Sequence, residues 1–245
     1  MERLTSSQLE EIKQFDCPTV CNAIECFGVR PRNDGFALPG MTPRTLVDER
    51  LLGYAATAKI SALHPPKADA AIKLIEYYTL VRETAKPTVA VIQDIDPQPV
   101  GSFWGEVQAT VHQALGAVGT LTHGGVRDLD EAGKNGFHFF STRVLISHGF
   151  VQVVEQGCGV EINGLRVRPG ELVFADKHGV VLIPDEVAPR LAEACREVAA
   201  AELPMLTPCR EAIKNGVPPS IDEIKQWREG MAKARNIAAE KFKIK

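Results

Sequence analysis

Two short motifs hold the residues best suited to chemistry. Gly105-Glu106 opens one predicted helix, and the run Gly124-Gly125-Val126-Arg127-Asp128 opens the next. Twenty residues separate Glu106 from Arg127, which is the length of one helix and one strand. Both motifs are therefore expected at the same edge of a sheet, at the carboxyl ends of its strands, where open α/β sheets bind ligands.

The two motifs together could bind a carboxylate and a metal ion. Free N–H groups in the first turn of the helix at Glu106 attract an anion such as a substrate carboxylate. The guanidinium of Arg127 can donate hydrogen bonds to the same carboxylate or to a neighbouring keto oxygen. Asp128, with Glu106 across the gap, offers hard oxygen ligands of the kind that Mg²⁺ or Mn²⁺ prefers. The spacing alone favours a simpler interpretation, which is a surface ion pair beside a glycine turn.

Alternating strands and helices are predicted around these motifs. Residues 53–63 alternate as a strand does, residues 69–83 have helical spacing, and residues 87–95 form a β-branched run typical of a parallel strand buried on both faces. A helix over 106–115, a strand over 117–123, a Gly-Gly turn and a further helix follow, an order that favours parallel neighbouring strands. Shorter strands are predicted at 136–141 and 150–155, with hairpin turns at Asn163-Gly164 and at 176–179.

Helices are expected at both ends of the chain. Ser6-Ser7 is predicted to cap the first, Pro18 to open the second and Gly28 to end it, and Asp185-Glu186 to cap a helix that runs to about residue 201. The last helix, 221–243, has one apolar stripe, which we expect to dock on this fold or on a neighbouring subunit. The stripe consists of Ile224, Trp227, Met231, Ala234, Ala238 and Phe242.

Composition excludes several classes of protein. The 245 residues are 44% hydrophobic and 24% charged, which is typical of an ordinary globular protein of one large or two small domains and excludes disordered, collagen-like and coiled-coil chains. A net charge of −3 argues against nucleic acid as a ligand.

The cysteines and the apolar runs indicate the compartment. Six cysteines without a CxxC pair predict free thiols. No apolar run is long enough to span a membrane and the N-terminus is unlike a signal peptide, so we expect a cytoplasmic protein that binds no membrane.

The motifs resemble one known family. FWGE, twenty residues and then Arg-Asp, with HGGV before that pair and FADKHGVVLIP at 174–184, resembles the 4-hydroxy-4-methyl-2-oxoglutarate aldolase branch of the RraA-like family, best over residues 87–184. The resemblance implies an α/β fold, a swivelling β/β/α-type sandwich with helical N- and C-terminal extensions. It also implies a homotrimer or homohexamer with active sites at subunit contacts, with residues 1–200 as the catalytic domain and 201–245 as a helical extension.

The same resemblance implies an activity and a role for each residue. The activity is aldol cleavage or oxaloacetate decarboxylation of a small 2-oxo acid through a pyruvate enolate, with a divalent Mg or Mn cation and no Schiff-base lysine. Asp128 would hold the metal, Arg127 would bind substrate, and Glu106 would contact metal-bound water. Backbone amides near the start of the helix would take the pyruvyl carboxylate, from Gly105, Glu106, Val107 and Gln108.

Three points stay open: the range of substrates, the role of His123, and whether the protein is an enzyme or a binding regulator. His123-Gly124 stands where family members often have Asp-Gly, so the range of substrates is open. His123 itself is expected to be either a metal ligand or acid/base group, or a strand-end histidine that only satisfies hydrogen bonds. The same family includes proteins that inhibit a ribonuclease by association, so the alternative to an enzyme is a non-catalytic binding regulator.

Overall fold

The structure, a computed structural model, describes residues 3–244. Its strands are β1 (Thr42–Pro43), β2 (Leu51–Ser61), β3 (Thr88–Asp94), β4 (Ala117–Val126), β5 (His138–Val144), β6 (Gln152–Gln156), β7 (Val160–Ile162), β8 (Leu165–Val167), β9 (Leu172–Asp176) and β10 (Gly179–Ile183). Its helices are α1 (Ser6–Ile12), α2 (Cys17–Phe27), α3 (Ala70–Glu83), α4 (Glu106–Ala114), α5 (Leu129–Lys134), α6 (Leu191–Ala201), α7 (Leu203–Asn215) and α8 (Ile221–Phe242), with a 3₁₀ turn at Ala188–Arg190.

The chain divides into two compact units. Gly35–Asp185 and Arg3 form the sheet unit, while Leu4–Asp34 and residues 186–244 form the helical unit. The division into a catalytic domain over 1–200 and a helical extension over 201–245 stays a prediction. None of the helices between residues 3 and 244 is long and apolar enough to cross a bilayer.

An eight-stranded mixed sheet forms the centre of the sheet unit. Its order is β1-β5-β4-β3-β2-β9-β10, with β6 also paired to β2. Strands β2, β3, β4 and β5 are parallel, whereas β1, β6, β9 and β10 pair antiparallel with their neighbours. The predicted α/β fold with helical ends is confirmed, including the parallel neighbours and the two hairpin turns.

Apolar clusters cover both faces of the parallel strands, and successive side chains along a strand point to opposite faces. On β3, Ile92 packs into one apolar cluster with Trp104 and Phe139. Its neighbour Val91 packs into a second cluster that includes Phe140 and, from the β7–β8 hairpin, Ile162. The continuous β-branched run that predicted β3 thus reflects burial on two faces.

Three local predictions were wrong. Thr5, not Ser6-Ser7, caps α1, because Thr5 and Gln8 form a reciprocal capping box. Asp185-Glu186 does not cap α6: a 3₁₀ turn that contains Pro189 comes first, and α6 begins at Leu191. Gly124-Gly125 is not a turn, since β4 continues through both glycines to Val126.

The apolar stripe of the last helix faces other helices of the helical unit. Ala238 and Phe242 are buried, and the ring of Phe242 lies 5.3 Å from that of Phe27 on α2. The other four members of the stripe, on the part of α8 nearer its N-terminus, are half-buried. Docking of the stripe on the chain's own helices is confirmed, whereas its contact with another subunit stays a prediction.

One histidine lies inside the sheet unit's core. His112 on α4 is 0% exposed, and its Nδ1 lies 2.7 Å from the carbonyl oxygen of Gln108. Burial lowers the pKa of His112 to about 4, although the hydrogen bond to that carbonyl acts in the opposite direction. The imidazole is therefore neutral at pH 7 and carries its proton on Nδ1, because a carbonyl can only accept.

This burial predicts how stability depends on pH. Between about pH 6.5 and about pH 4 the unfolded chain binds a proton at residue 112 that the folded chain does not, so His112 destabilises the fold as pH falls through that window. His112→Phe removes the effect. We expect the difference in unfolding free energy between variant and native protein to change by about 3 kcal/mol from pH 7 to pH 4, in favour of the variant, as measured by urea denaturation at several pH values. Parallel stability curves for the two proteins would contradict the assignment.

Candidate active site at the ends of β4 and the α4 loop

The backbone joins the two predicted motifs. Trp104 forms an isolated parallel bridge with Val126, and the Arg127 N–H donates to the Trp104 carbonyl at 3.0 Å. The Ser102 hydroxyl donates to the same carbonyl at 2.6 Å and to that of Gly125 at 2.9 Å. The loop before α4 is therefore held against the end of β4.

Gly105 is required because the second motif approaches its α-carbon closely. A Cβ at this position would lie 2.5 Å from Asp128 Oδ2 and 3.1 Å from Arg127 Nε. The backbone at Gly105 is extended, so the requirement is for space and not for an unusual conformation. Any side chain here would push the Arg127 and Asp128 side chains away from the start of α4.

Asp128 ties the two helix starts together. Its backbone is left-handed, with φ at 53°, which Asp tolerates better than most residues. Its Oδ2 accepts the Glu106 N–H at 3.0 Å and lies 3.7 Å from Arg127 Nε. The carboxylate thereby satisfies one free amide at the N-terminus of α4, where a negative charge is favoured.

The predicted site residues meet as the spacing indicated, at one place in the sheet unit. The side chains of Arg127 and Asp128 are 35% and 37% exposed, so both can reach a ligand. Glu106 is exposed and Val107 is 72% exposed, while Gln108 Oε1 accepts from the Tyr78 hydroxyl at 2.9 Å. This geometry assigns no chemical role, and the roles implied by resemblance stay predictions.

The donor set around Asp128 fits only some metals. Within residues 3–244 no three His, Cys, Asp or Glu side chains converge so that they could hold an ion, which excludes a closed cage of the zinc type from the described residues. Mg²⁺ is commonly held by one or two carboxylates, with water and substrate oxygens completing its shell. The half-exposed carboxylate of Asp128, which accepts the main-chain N–H of Glu106, fits that second pattern.

A second polar group at the same edge of the sheet was missed by sequence reasoning. Asp94 ends β3 and is buried, and burial raises its pKa to about 6, with the charge of Asp96 adding to the effect. The charge of Arg143 on β5 opposes that rise. The pKa of His123 on β4 is lowered, mainly by burial and further by the charge of Arg143. An aspartate directly after a buried strand was the available signal for Asp94.

A β-bulge sets the position of His123. Between the pairs Thr122↔Ser141 and Gly125↔Arg143, β4 has two residues where β5 has one. The Thr122 hydroxyl accepts the Gly124 N–H at 3.0 Å, and the Thr142 hydroxyl donates to the His123 carbonyl. A bulge of this kind re-aims a side chain, and it leaves His123 Nδ1 buried and without a partner among the described residues. Both interpretations of His123 stay predictions.

Comparison with known proteins places the chain in a family. Residues 17–182 match the family model RraA-like, described as Aldolase/RraA. Protein DlpA of Legionella pneumophila is 32% identical over 127 residues, which cover 50% of this chain and 20% of DlpA, so the match spans about a fifth of that relative. An uncharacterized protein of Methanocaldococcus jannaschii is 25% identical over 195 residues, which cover 78% of this chain and 83% of that protein.

Solved structures share the fold. An uncharacterized protein from Pseudomonas syringae has a TM-score of 0.68 at 22% identity, covering 93% of this chain and 95% of that chain. Streptomyces coelicolor RraAS2, described as an unusual member of the RNase ES inhibitor RraA family, has a TM-score of 0.63 at 20% identity, covering 80% and 94%. At these identities the structures establish the fold alone. The family model matches well over half of the 245 residues, and on that basis the chain belongs to the RraA-like (Aldolase/RraA) family.

Proposed function

We propose that the protein is a divalent-metal-dependent aldolase or decarboxylase that acts on a small 2-oxo acid and passes through a pyruvate enolate. The observation that carries the proposal is the close approach of Arg127 and Asp128 to the N-terminus of α4 across Gly105. Membership of the Aldolase/RraA family supports it. The 4-hydroxy-4-methyl-2-oxoglutarate type of aldol cleavage and oxaloacetate decarboxylation are the reactions that we assign.

The chain's own residues bind and orient the substrate. The N–H groups of Val107 and Gln108 lie in the first turn of α4, where no intrahelical acceptor is available, and attract the pyruvyl carboxylate. The Arg127 guanidinium donates to the keto oxygen and stabilises the negative charge that develops there when the C3–C4 bond breaks. Glu106, at the mouth of the site, exchanges the proton of the C4 hydroxyl through water.

Mg²⁺ or Mn²⁺ would be held by Asp128, and when bound it supplies Lewis-acid polarisation of the keto group. The Asp128 carboxylate is fixed at the start of α4 because its Oδ2 accepts the Glu106 N–H. We further propose that the protein acts as a homotrimer or homohexamer, since the resemblance implies active sites at subunit contacts.

Replacement of Arg127 separates geometry from charge. Lysine keeps the positive charge but cannot reproduce the two parallel donors of a guanidinium. We expect Arg127→Lys to lower kcat/KM for both oxaloacetate decarboxylation and aldol cleavage by about 10²-fold or more, measured as pyruvate release. Both activities should fall together because they share one enolate.

Arg166→Lys is the matched control, since Arg166 lies on the exposed face of β8 with its side chain 88% exposed. It should keep native kinetics. A near-native Arg127→Lys enzyme, or loss of only one of the two reactions, would remove Arg127 from this role.

Replacement of Asp128 tests the metal. Asparagine tolerates the left-handed backbone and keeps an oxygen that can accept the Glu106 N–H, so Asp128→Asn should fold and melt like the native protein. We expect it to lose the stimulation by Mg²⁺ or Mn²⁺ that restores native activity after EDTA treatment. The exposed neighbour Asp130 gives the control Asp130→Asn, which should respond to metal normally.

Full native activity in excess EDTA, or covalent trapping of substrate on a lysine by borohydride, would overturn the metal mechanism. Absence of any pyruvate from oxaloacetate or from a 4-hydroxy-2-oxo acid in the presence of Mg²⁺ would favour the alternative, a binding regulator of a ribonuclease.

A further inference from the structure

Three buried polar atoms lie without partners in the core of the sheet unit. They are Tyr77 Oη, Trp104 Nε1 and His112 Nε2, none of which has a hydrogen-bond partner among the described residues. Each of the three side chains is 0% exposed. An unpaired polar atom in such a place is costly, because it has lost its hydrogen bonds to solvent and gained none.

The three side chains are neighbours in one aromatic cluster. The His112 ring centroid lies 4.5 Å from that of Trp104 and 5.4 Å from that of Tyr77. Tyr78 and Phe103 complete the wall at 5.6 Å and 6.0 Å from His112. We call these five residues the His112 cluster.

The unpaired atoms are chemically complementary. His112 Nδ1 carries the proton, because it faces the Gln108 carbonyl at 2.7 Å, so Nε2 has a free lone pair and can only accept. Trp104 Nε1 can only donate, and the Tyr77 hydroxyl can do either. A water molecule that donates to His112 and accepts from Trp104, with Tyr77 as third partner, makes the three hydrogen bonds that are usual for a buried water.

We propose that the His112 cluster binds a single water molecule, held by Tyr77 Oη, Trp104 Nε1 and His112 Nε2. The bound water ties α3, which carries Tyr77, to α4, which carries His112, and to the loop between β3 and α4, which carries Trp104. It satisfies all three buried atoms at once.

The water has a consequence for the candidate active site, and this consequence rests on the proposed function. The main-chain carbonyl of Trp104 accepts the Arg127 N–H at 3.0 Å, and Gly105 follows directly. A fixed Trp104 therefore fixes the backbone that presents Arg127. Tyr77 and His112 are in this sense positioning residues, which act through Trp104 and touch no substrate.

The water is tested by NMR on protein labelled with ¹⁵N at its tryptophan indoles. The chain has 2 tryptophans, and Trp104→Phe assigns their signals. We expect the Trp104 indole N–H to show a cross-peak to a long-lived water and slow exchange with solvent. Trp227, half-buried on α8, serves as the control and should show only fast exchange. Absence of a long-lived water at the Trp104 indole would overturn the proposal.

Three variants that keep an aromatic side chain sharpen the test. His112→Phe removes the only obligatory acceptor and should abolish the water cross-peak. Tyr77→Phe removes one partner and should speed exchange of the Trp104 indole N–H by about tenfold. Tyr78→Phe is the matched control, because its hydroxyl is paired with Gln108 and its loss should leave the cross-peak intact. Loss of the cross-peak in Tyr78→Phe, or its persistence in His112→Phe, would contradict the assigned ligands.

Amide hydrogen exchange tests the positioning role without any assay of activity. In Tyr77→Phe and His112→Phe we expect the Arg127 N–H to exchange roughly tenfold faster, beyond any change shared by all slowly exchanging amides. Val167→Ala, a buried change in β8 on the opposite face of the sheet, controls for general loss of stability and should show only the shared change. An unaffected Arg127 amide would leave the water in place but remove its link to the site. Because no readout depends on turnover, an inactive enzyme would count against the proposed function alone.

Discussion

The hydrogen bond from the Glu106 N–H to Asp128 Oδ2 is the contact on which the candidate site depends. It joins the first residue of α4 to the N-cap of α5, across twenty-one residues of helix and strand that could otherwise end at separate places. A carboxylate at a helix N-terminus is favoured both by the free amides and by the helix dipole. The same contact holds Asp128 half-exposed beside Arg127, with its Oδ2 3.7 Å from Arg127 Nε.

Three glycines of the two motifs leave room for neighbouring chain segments. Gly105 leaves room for the Asp128 carboxylate, Gly124 for the Asp94 side chain, and Gly125 for Leu145. None of these three has a left-handed backbone, so each is needed for close approach of another chain segment. Asp128 itself adopts the left-handed conformation instead, and that choice turns the chain from β4 into α5 with the carboxylate facing back toward α4. An added Cβ would lie 2.5 Å from Asp128 Oδ2 at Gly105 and 2.4 Å from the Leu145 side chain at Gly125, so a larger residue at either position would displace its neighbour.

Sequence patterns predicted the elements better than their junctions. Buried runs and helical spacing located β3, α3 and α8 to within one or two residues, because burial imposes a period that is visible in one segment. Gly124-Gly125 was wrongly predicted to be a turn because glycine occurs both at turns and where two chain segments approach closely. Only the positions of Asp94 and Leu145 distinguish the two cases.

Asp94 and Arg143 were missed for a related reason. Their proximity to His123 arises from the order of strands and from a bulge, which are tertiary features. The meeting of Glu106 with Arg127 and Asp128 was predictable because a helix and a strand return the chain to the same edge.

Shared fold cannot by itself decide between an enzyme and a regulator, since one fold supports unrelated functions and function resides in the site. The residues of this site offer a physical criterion. The left-handed backbone of Asp128 costs of the order of 1 kcal/mol relative to an ordinary conformation, while Gly105 leaves space for the Asp128 carboxylate and the half-exposed Arg127 lies 3.7 Å from it. A surface that only binds another protein needs charge and shape, which other residues supply without such strain. A site that must hold a carboxylate, a keto oxygen and a cation within reach of one another does need fixed donors and acceptors in a confined geometry. It is on this physical basis that the function we propose is catalysis and not simple association.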